Sequence, residues 1–505
     1  MSILFNRESY RLEKEEPAIF RDLNLDQIVG AITAKRDEYD LCPFFYTPLD
    51  DVGTISFRHD VFRDLESTDL LQHIKEFAER LRTMRSHLVQ SGKLRYDNQK
   101  RVWFLDVVDV YCFAVQDFAD KLANCDLRSK ALQLFRRHLV EYVPSDGFAS
   151  LRSETAAMRA DLQVVRYCVL IREGGFKVRK YDGEDDYSSE VESAFRKFQQ
   201  GEVSSYLTQF SDRPDMNHIE AKILDFVALL YPDIFAHLES FCIRHAEYLD
   251  ETIRTFDREI QFYLAYIEHM SSLTRASLSF CYPKIVQSKG RLFDRNGFDL
   301  ALAHKLVREK SAVVCNDFEL LESERILIIT GPNQGGKTTF ARTFGQLHYL
   351  ARLGLPVPGT EATLFLCDTI FTHFEREESL GTLRGKLEDD LVRVRAILDR
   401  ATPHSIVVVN EAFTSTTVAD AAFLSTNVLS LLSDRDLLCA WVTFLDELAS
   451  LNEKTVSMVA MVAHDNPAQR TFKVVRSPAD GLAYAMAIAQ KHGVTYDRLK
   501  ERLQP

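Results

Sequence analysis

The chain has 505 residues, a formal net charge of −12, 46% hydrophobic residues and 27% charged residues. That length exceeds one ordinary core, so two or three domains are expected, and the balance is that of a soluble protein. The acidic sum argues against a polybasic nucleic-acid coat or a membrane-surface protein, but a local basic groove is still compatible with it, because phosphate affinity follows clustered charge.

The first segment, MSILFNRESYRLEKEEP, carries charges within its first eight residues and has no long apolar run, so no secretory signal is expected. PLDDVGTISFRHDVFRDLES (48–67) reads as a turn-rich entry into a short helix. DLLQHIKEFAERLRTMRSHL (69–88) puts Leu71, Ile74, Phe77 and Leu81 on one helical face, with Arg and Glu opposite. VWFLDVVDVYCFAVQDFADKLA (102–123) is apolar nearly all round, as a helix inside a bundle should be. Residues 1–143 are therefore expected to form a helical domain. Arg80, Arg82 and Arg85 on one of its helices, and Arg128, Arg136 and Arg137 on another, are within reach of a phosphate backbone in principle. Solvated helix faces are the simpler reading of both groups.

YCVLIREGGFKVRKY (167–181) places two strand-forming runs around Glu173-Gly174-Gly175 and predicts a β-hairpin. The acidic DGEDDY (182–187) that follows reads as a solvated loop. From 216 to 272 apolar residues recur every three or four positions, through Ile219, Ile223, Phe226 and Leu230 and on to Ile260, Tyr263 and Ile267. Pro232 sits near a break or an N-terminal turn. The piece after it is either one helix of roughly 40 residues, about 60 Å long, or two bundle helices with a kink. Residues 144–275 are expected to hold this hairpin and a long-helix lever.

From 276 to 505 the pattern becomes alternating strands and helices. RILIIT (325–330), IVVVN (406–410), DLLCAWVTF (436–444), TVSMVAMV (455–462) and TFKVVR (471–476) read as strands. FARTFGQLHYLARLG (340–354), KLEDDLVRVRAILDRA (386–401) and DAAFLSTNVLSLL (420–432) read as helices. This predicts an α/β domain with a largely parallel sheet. The nine cysteines, at 42, 112, 125, 168, 242, 281, 315, 367 and 439, are scattered singly without a CxxC. That is the pattern of reduced thiols in a cytoplasmic protein, and no membrane-spanning stretch is expected. His348, His373, His404 and His464 have no metal-ligand spacing and read as structural or surface residues.

The strongest local signal is GPNQGGKTT (331–339), which fits G-x-x-x-x-G-K-[ST] between an apolar strand and a helix. Glycines let the backbone wrap around phosphates with its N–H groups inward, and the helix N-terminus adds its positive end. Gly331, Pro332, Asn333, Gln334, Gly335, Gly336, Lys337, Thr338 and Thr339 are the expected nucleotide-binding set. Lys337 would place its ammonium on the β- and γ-phosphates, and Thr338 would offer a hydroxyl to Mg2+. Such a loop needs a second strand that ends in an acid pair, and IVVVNE (406–411) fits that role. Glu411 is the candidate general base, which with Lys337 makes the expected catalytic pair. Asn410 joins Thr338 as the expected metal-side pair. Its carbonyl oxygen still accepts a hydrogen bond, but an amide removes negative charge from a site that balances a divalent cation. Slow hydrolysis follows.

TGPNQGGKTTFARTFGQLHYLARLGLPVPG (330–359) resembles the ATPase domain of the MutS DNA mismatch-repair family, where the loop reads TGPN-x-GGKST. VVCNDFEL (313–320) looks like that family's FVPND-type strand, and DTIFTHF (368–374) like its DRIFTRIG segment. ESLGTLRGKLEDDLVRVRAIL (378–398) looks like the signature segment that completes a partner subunit's ATP site. The matching trans residues are Thr382, Leu383 and Arg384, with the usual Ser-Thr-Phe changed to Gly381-Thr382-Leu383. NEAFTSTTVADAA (410–422) lies over DE-x-GRGTST-x-DG, so Asp420 matches the D-loop aspartate. The likeness is strong over roughly 310–445 and weaker but collinear elsewhere. PLDDVGTISFRHDVFRDL (48–65) resembles the start of the MutS core domain.

The departures cluster. The A-T-H-Y switch is V-T-F-L (442–445), so Phe444 replaces the histidine, and the glycines after the second motif are Phe413 and Ser415. The core-like segment begins within the first fifty residues, which leads one to expect a short, divergent member without the mismatch-recognition domain. The end soon after DRLKERL (497–503) leads one to expect a short or missing C-terminal dimerisation element.

The resemblance implies a multidomain protein, with an α-helical core and lever region followed by an α/β P-loop (ABC-type) ATPase domain. It implies ATP and Mg2+ as cofactors, a cytoplasmic homodimer joined through the ATPase domains, and branched or duplex DNA as a partner. On that reading ATP-driven closure moves a clamp around DNA. The alternative is a nucleotide-gated switch or scaffold that binds ATP and partner proteins with little hydrolysis and no specific DNA role. A P-loop kinase fits less well, since it needs neither a helical strut nor a signature helix.

Overall fold

The computed structural model describes residues 2–6, 10–172, 175–183, 216, 218–375, 385–463 and 466–479. They group into two compact units, one of residues 63–257 and one in which residues 2–62 join 258–505. The expected divisions near 143 and 275 are not where this grouping falls, and the reason lies in how the first sixty residues pack.

Within the second unit the N-terminal strand of chain is threaded into the core. Ile3 and Leu4 are buried, and the Glu259 carboxylate accepts from the amide of Ile3 at 2.7 Å and from the Ser2 hydroxyl at 2.8 Å. Tyr263 donates to the Ile3 carbonyl at 2.7 Å. Arg58, in helix Val52–Asp64, is fully buried and donates to the carbonyls of Leu4 at 3.0 Å and Leu353 at 2.7 Å. Burial pushes its guanidinium down to about 10. A buried charge that lost these acceptors would cost several kcal/mol, roughly 3–5, so residues 2–62 are tied to the unit that carries Leu353.

The unit of residues 63–257 is mainly helical. Helices Thr68–Lys93, Lys130–Tyr142 and Asp146–Gln163 each start at a serine (Ser67, Ser129, Ser145) whose side chain accepts a backbone N–H of the first turn. Stacked rings fill the core, with Phe77 on Phe118 at 4.3 Å and Phe135 on Phe256 at 3.8 Å. β1 (Tyr167–Arg172) and β2 (Gly175–Lys180) pair antiparallel, and the tip at 173–174 and most of the acidic loop lie outside the described residues. After Pro232 the chain makes two helices, Pro232–Arg244 and Glu251–Thr274. Asp250 explains the break, because its carboxylate accepts from the amide of Ile253 at 2.9 Å and starts a new helix. Arg80 pairs with Asp117, Arg85 with Asp257, and Arg136 donates to the Cys125 carbonyl at 3.0 Å, so these cations serve the fold of their own unit.

The other unit holds a six-stranded sheet in the order β10 (Ile370–Phe374), β11 (Ile406–Asn410), β12 (Leu438–Val442), β7 (Ile326–Thr330), β13 (Thr455–Ala463), β14 (Asn466–Arg476). All neighbours are parallel except β13 and β14. β7 and β12 are buried throughout and β11 up to its last residue, which is why they read as unbroken apolar runs. Helix Lys337–Arg352 packs on β11 and β12. Val407, Val409, Cys439 and Trp441 join a second core cluster with Val394 of helix Lys386–Arg400 and Leu429 and Leu432 of helix Val418–Asp434. A smaller sheet of β4 (Lys284–Val286), β9 (Glu361–Phe365), β5 (Leu292–Gly297) and β6 (Asn316–Leu320) and a pair of β3 (Phe280–Cys281) with β8 (Val357–Pro358) complete the unit. Among the described residues, no single helix is long and apolar enough to cross a membrane.

Candidate nucleotide site

The carboxyl ends of β7, β11 and β12 bring the motif residues together, because ligand-contacting loops of a parallel sheet cluster at that edge. The loop after β7 begins at Gly331, φ 115°, where a Cβ would lie 2.8 Å from the Ala460 carbonyl oxygen of β13. It ends at Gly336, φ 97°, which caps helix Lys337–Arg352. Between them lie Pro332, Asn333, Gln334 (φ 60°) and Gly335, whose amide donates to the Pro332 carbonyl at 3.1 Å. Only glycine takes the conformation and the close approach at Gly331 cheaply.

Lys337 is 4% exposed, with Nζ donating to the Gly331 carbonyl at 2.8 Å and to Asn333 Oδ1 at 3.2 Å. Burial pushes its ammonium below the ordinary lysine value, and the charge of Glu411, 4.0 Å away, acts in the opposite direction. Thr338 Oγ1 donates to Asn410 Oδ1 at 2.7 Å. A hydroxyl whose proton is held this way presents its lone pairs outward. Thr339 follows Thr338 in the first turn of the helix, and its carbonyl accepts from Thr343 Oγ1 at 2.9 Å.

The chain turns sharply after Asn410. Glu411 has φ 55°, and its amide donates to the Val442 carbonyl at 3.0 Å. Phe413 has φ 62° and is fully buried in the core cluster. That left-handed backbone is what a glycine would take freely, and for a phenylalanine it costs about 1–3 kcal/mol. Phe413 thus takes a conformation that is open to glycine and adds a ring to the core. Phe444 stands just beyond β12, 46% exposed, after Thr443, whose amide donates to the Ile329 carbonyl at 3.0 Å. Its ring offers no donor or acceptor where the switch histidine would stand. Asp420 is occupied at the start of helix Val418–Asp434, accepting from Thr417 Oγ1 at 2.8 Å while its amide donates back to that oxygen at 3.2 Å. Thr382, Leu383, Arg384 and His464 lie outside the described residues.

Two residues beside the loop carry no local motif. Arg470 Nε donates to the Asn333 carbonyl at 3.2 Å. Phe472, φ 58° and half exposed, has its Cα 3.6 Å from where a Gly336 Cβ would lie. Its carbonyl accepts from Asn316 Nδ2 at 3.1 Å, which ties β14 to the strand of VVCNDFEL. Ala460, Arg470 and Phe472 all belong to the β13–β14 hairpin, whose contact with the loop arises only in the folded sheet. The histidines are accounted for by packing. His348 is buried against the Phe344 carbonyl and pushed down to about 4 by burial, and His404 stacks on Phe365. Among the described residues no cluster of ligand-type side chains fits a metal ion by itself.

Residues 327–501 match the family model described as MutS domain V. The chain is similar to Endonuclease MutS2 of Thermus thermophilus, at 33% identity over 37% of this chain and 25% of that protein. It is similar to DNA mismatch repair protein MutS of Thermosipho melanesiensis at 26% identity, over 59% of this chain and 36% of that protein. A third likeness is to DNA mismatch repair protein MutS of Lawsonia intracellularis, at 31% identity over 37% of this chain and 21% of that protein. These matches support membership of the MutS family. The chain spans only about a fifth to a third of the length of these curated relatives.

Proposed function

We propose that this chain is a MutS-family ATPase that binds ATP with Mg2+ at the end of β7 and hydrolyses it slowly. The observation that carries the reading is the hydrogen bond from Thr338 to Asn410, with Lys337 and Glu411 4.0 Å apart beside it. Two motifs 72 residues apart converge on one spot with the polarity that a phosphate and a cation require.

The donor set fits both groups. Gly331 to Thr339 present a helix N-terminus and an inward lysine to the phosphates, and Thr338 and Asn410 are the side chains that would hold Mg2+. When bound, Mg2+ supplies neutralisation of the phosphate oxygens. Lys337 would exchange the Gly331 carbonyl and Asn333 Oδ1 for the β- and γ-phosphate oxygens and stabilise the charge that grows there. Glu411 would orient a water at the γ-phosphorus and take its proton as the bond to the bridging oxygen breaks. Asn410 holds the Thr338 hydroxyl without adding negative charge, which is the basis for slow turnover. Phe472 is positioned to meet a base by stacking, and Arg470 to add positive potential over the loop.

The relatives' names point to DNA, so the full reading is an ATP-dependent clamp on branched or duplex DNA that acts as a homodimer through the ATPase units. The switch or scaffold reading draws on Asn410 and the exposed ring of Phe444. Two measurements separate them. Equilibrium binding and hydrolysis of ATP by the unaltered chain and by Lys337→Ala test the site. A gel shift of duplex and branched DNA at low salt, with and without ATP, tests the clamp, since phosphate contacts weaken steeply as salt rises. ATP binding with no shift at low salt favours the switch, and absence of ATP binding contradicts both.

A further inference from the structure

Asp390, near the start of helix Lys386–Arg400, belongs to neither nucleotide motif and yet reaches both flanks of the second one. It is 6% exposed. One carboxylate oxygen lies 3.3 Å from Nε2 of His373, and the other accepts a 3.3 Å bond from the amide of Phe413. His373 is 1% exposed and sits in β10 in register with Val409, next to the strand end that carries Asn410. Burial works to raise the Asp390 carboxyl, but the hydrogen bond and charge of His373 and the Phe413 amide outweigh it and hold the group below the usual carboxylate range. The carboxylate is therefore an ionised acceptor that joins the neighbouring strand to the turn after β11.

That turn needs holding. Glu411 and Phe413 both have positive φ, and non-glycine residues stay there only when their surroundings over-determine them. The Glu411 amide is fixed by Val442 and the Phe413 ring by the core, while the Phe413 amide rests on Asp390. We infer that Asp390 is a positioning residue for Glu411: bridging His373 and the Phe413 amide, it fixes the turn that points the Glu411 carboxylate at the Lys337 ammonium. The role rests on the ATPase reading above. Asp390 does not touch the nucleotide. The two N–H groups face different oxygens of Asp390, so an asparagine at this position keeps the shape but turns an NH2 toward one of them.

The test uses the full chain, with hydrolysis kinetics, equilibrium binding of a fluorescent ATP analogue and thermal midpoints, for Asp390→Asn, Glu411→Gln and the double variant. Asp390→Asn is expected to lower kcat about tenfold to a hundredfold, the loss that misplacing a reacting group brings. KM and analogue affinity should stay within about twofold. The double variant should be no slower than Glu411→Gln alone, because residues that act through one another are not additive. His373→Leu should repeat the kcat loss, and His373→Gln, which keeps an N–H donor, should largely restore it. This pair carries the test if Asp390→Asn does not fold. An unchanged kcat in Asp390→Asn, or a loss that adds fully to that of Glu411→Gln, overturns the positioning role and leaves the ATPase reading standing. An unaltered chain that binds the analogue and turns nothing over overturns the hydrolytic reading, and the positioning role with it.

Discussion

At the end of β7 a glycine at positive φ leads into a loop whose lysine is buried and directed inward, and whose threonine hydroxyl is held by a partner 72 residues away. At the end of β11, two strands across the same sheet, an amide stands where a carboxylate would be, a phenylalanine occupies a left-handed position, and the nearby β12 end carries an exposed ring. On the proposed reading, the first region grips the phosphates. On the same reading the second activates water, and it holds the departures. Binding and turnover, on that reading, reside on different strand ends of one sheet, so one can be retuned while the other is kept. Glu411 is the point of contact between them, because its carboxylate faces Lys337 while its backbone belongs to the altered turn.

The contrast can be broken from either side. The largest effect is expected from Lys337→Ala, which removes the buried cation. ATP binding and turnover should fall by about a thousandfold in kcat/KM, the scale of losing a preorganised charged donor. If binding of a fluorescent ATP analogue survived intact, β7 would not be the gripping end. Glu411→Gln should come next, with kcat about a hundredfold to a thousandfold lower and analogue affinity nearly unchanged. A matching loss of affinity would mean that the two ends are not separable. Phe472→Ala should weaken binding about tenfold, the order of one stacked base, with kcat at saturating ATP little changed. Equal affinity for ATP and for tripolyphosphate in the unaltered chain would rule out that stacking.

The motif strands were legible because their signals are local. GPNQGGKTT reads as a phosphate loop by its spacing together with the strand before it and the helix after it, and IVVVNE announces a buried parallel strand by its unbroken apolar run. The largely parallel sheet followed from the alternation of such runs with amphipathic helices. Residues that meet only through packing were not legible. Ala460 approaches Gly331, and Phe472 approaches Gly336, because β13 and β14 continue the sheet beyond β7. Nothing in VAMVAHDNPAQRTF states that register. Asp390 reads as one acid among several in KLEDDL, and only the folded chain sets it between His373 and Phe413. The choice between one long helix and two stayed open for a different reason: apolar periodicity runs through the break before Glu251, and the capping role of Asp250 is decisive only once the turn forms. The grouping of residues 2–62 with the unit of the six-stranded sheet depends on Arg58 and Glu259, charged residues whose burial no hydropathy pattern reveals.

The central claim is that Asn410 preserves the grip on Thr338 while weakening the metal side of the site. Single-turnover ATP hydrolysis at saturating Mg2+ by the unaltered chain and by Asn410→Asp tests it most directly. Restoring the carboxylate should raise the rate about threefold to tenfold, since a negative charge beside a divalent cation is returned, with nucleotide affinity measured without Mg2+ little altered. A rate for Asn410→Asp equal to or below that of the unaltered chain would contradict the account.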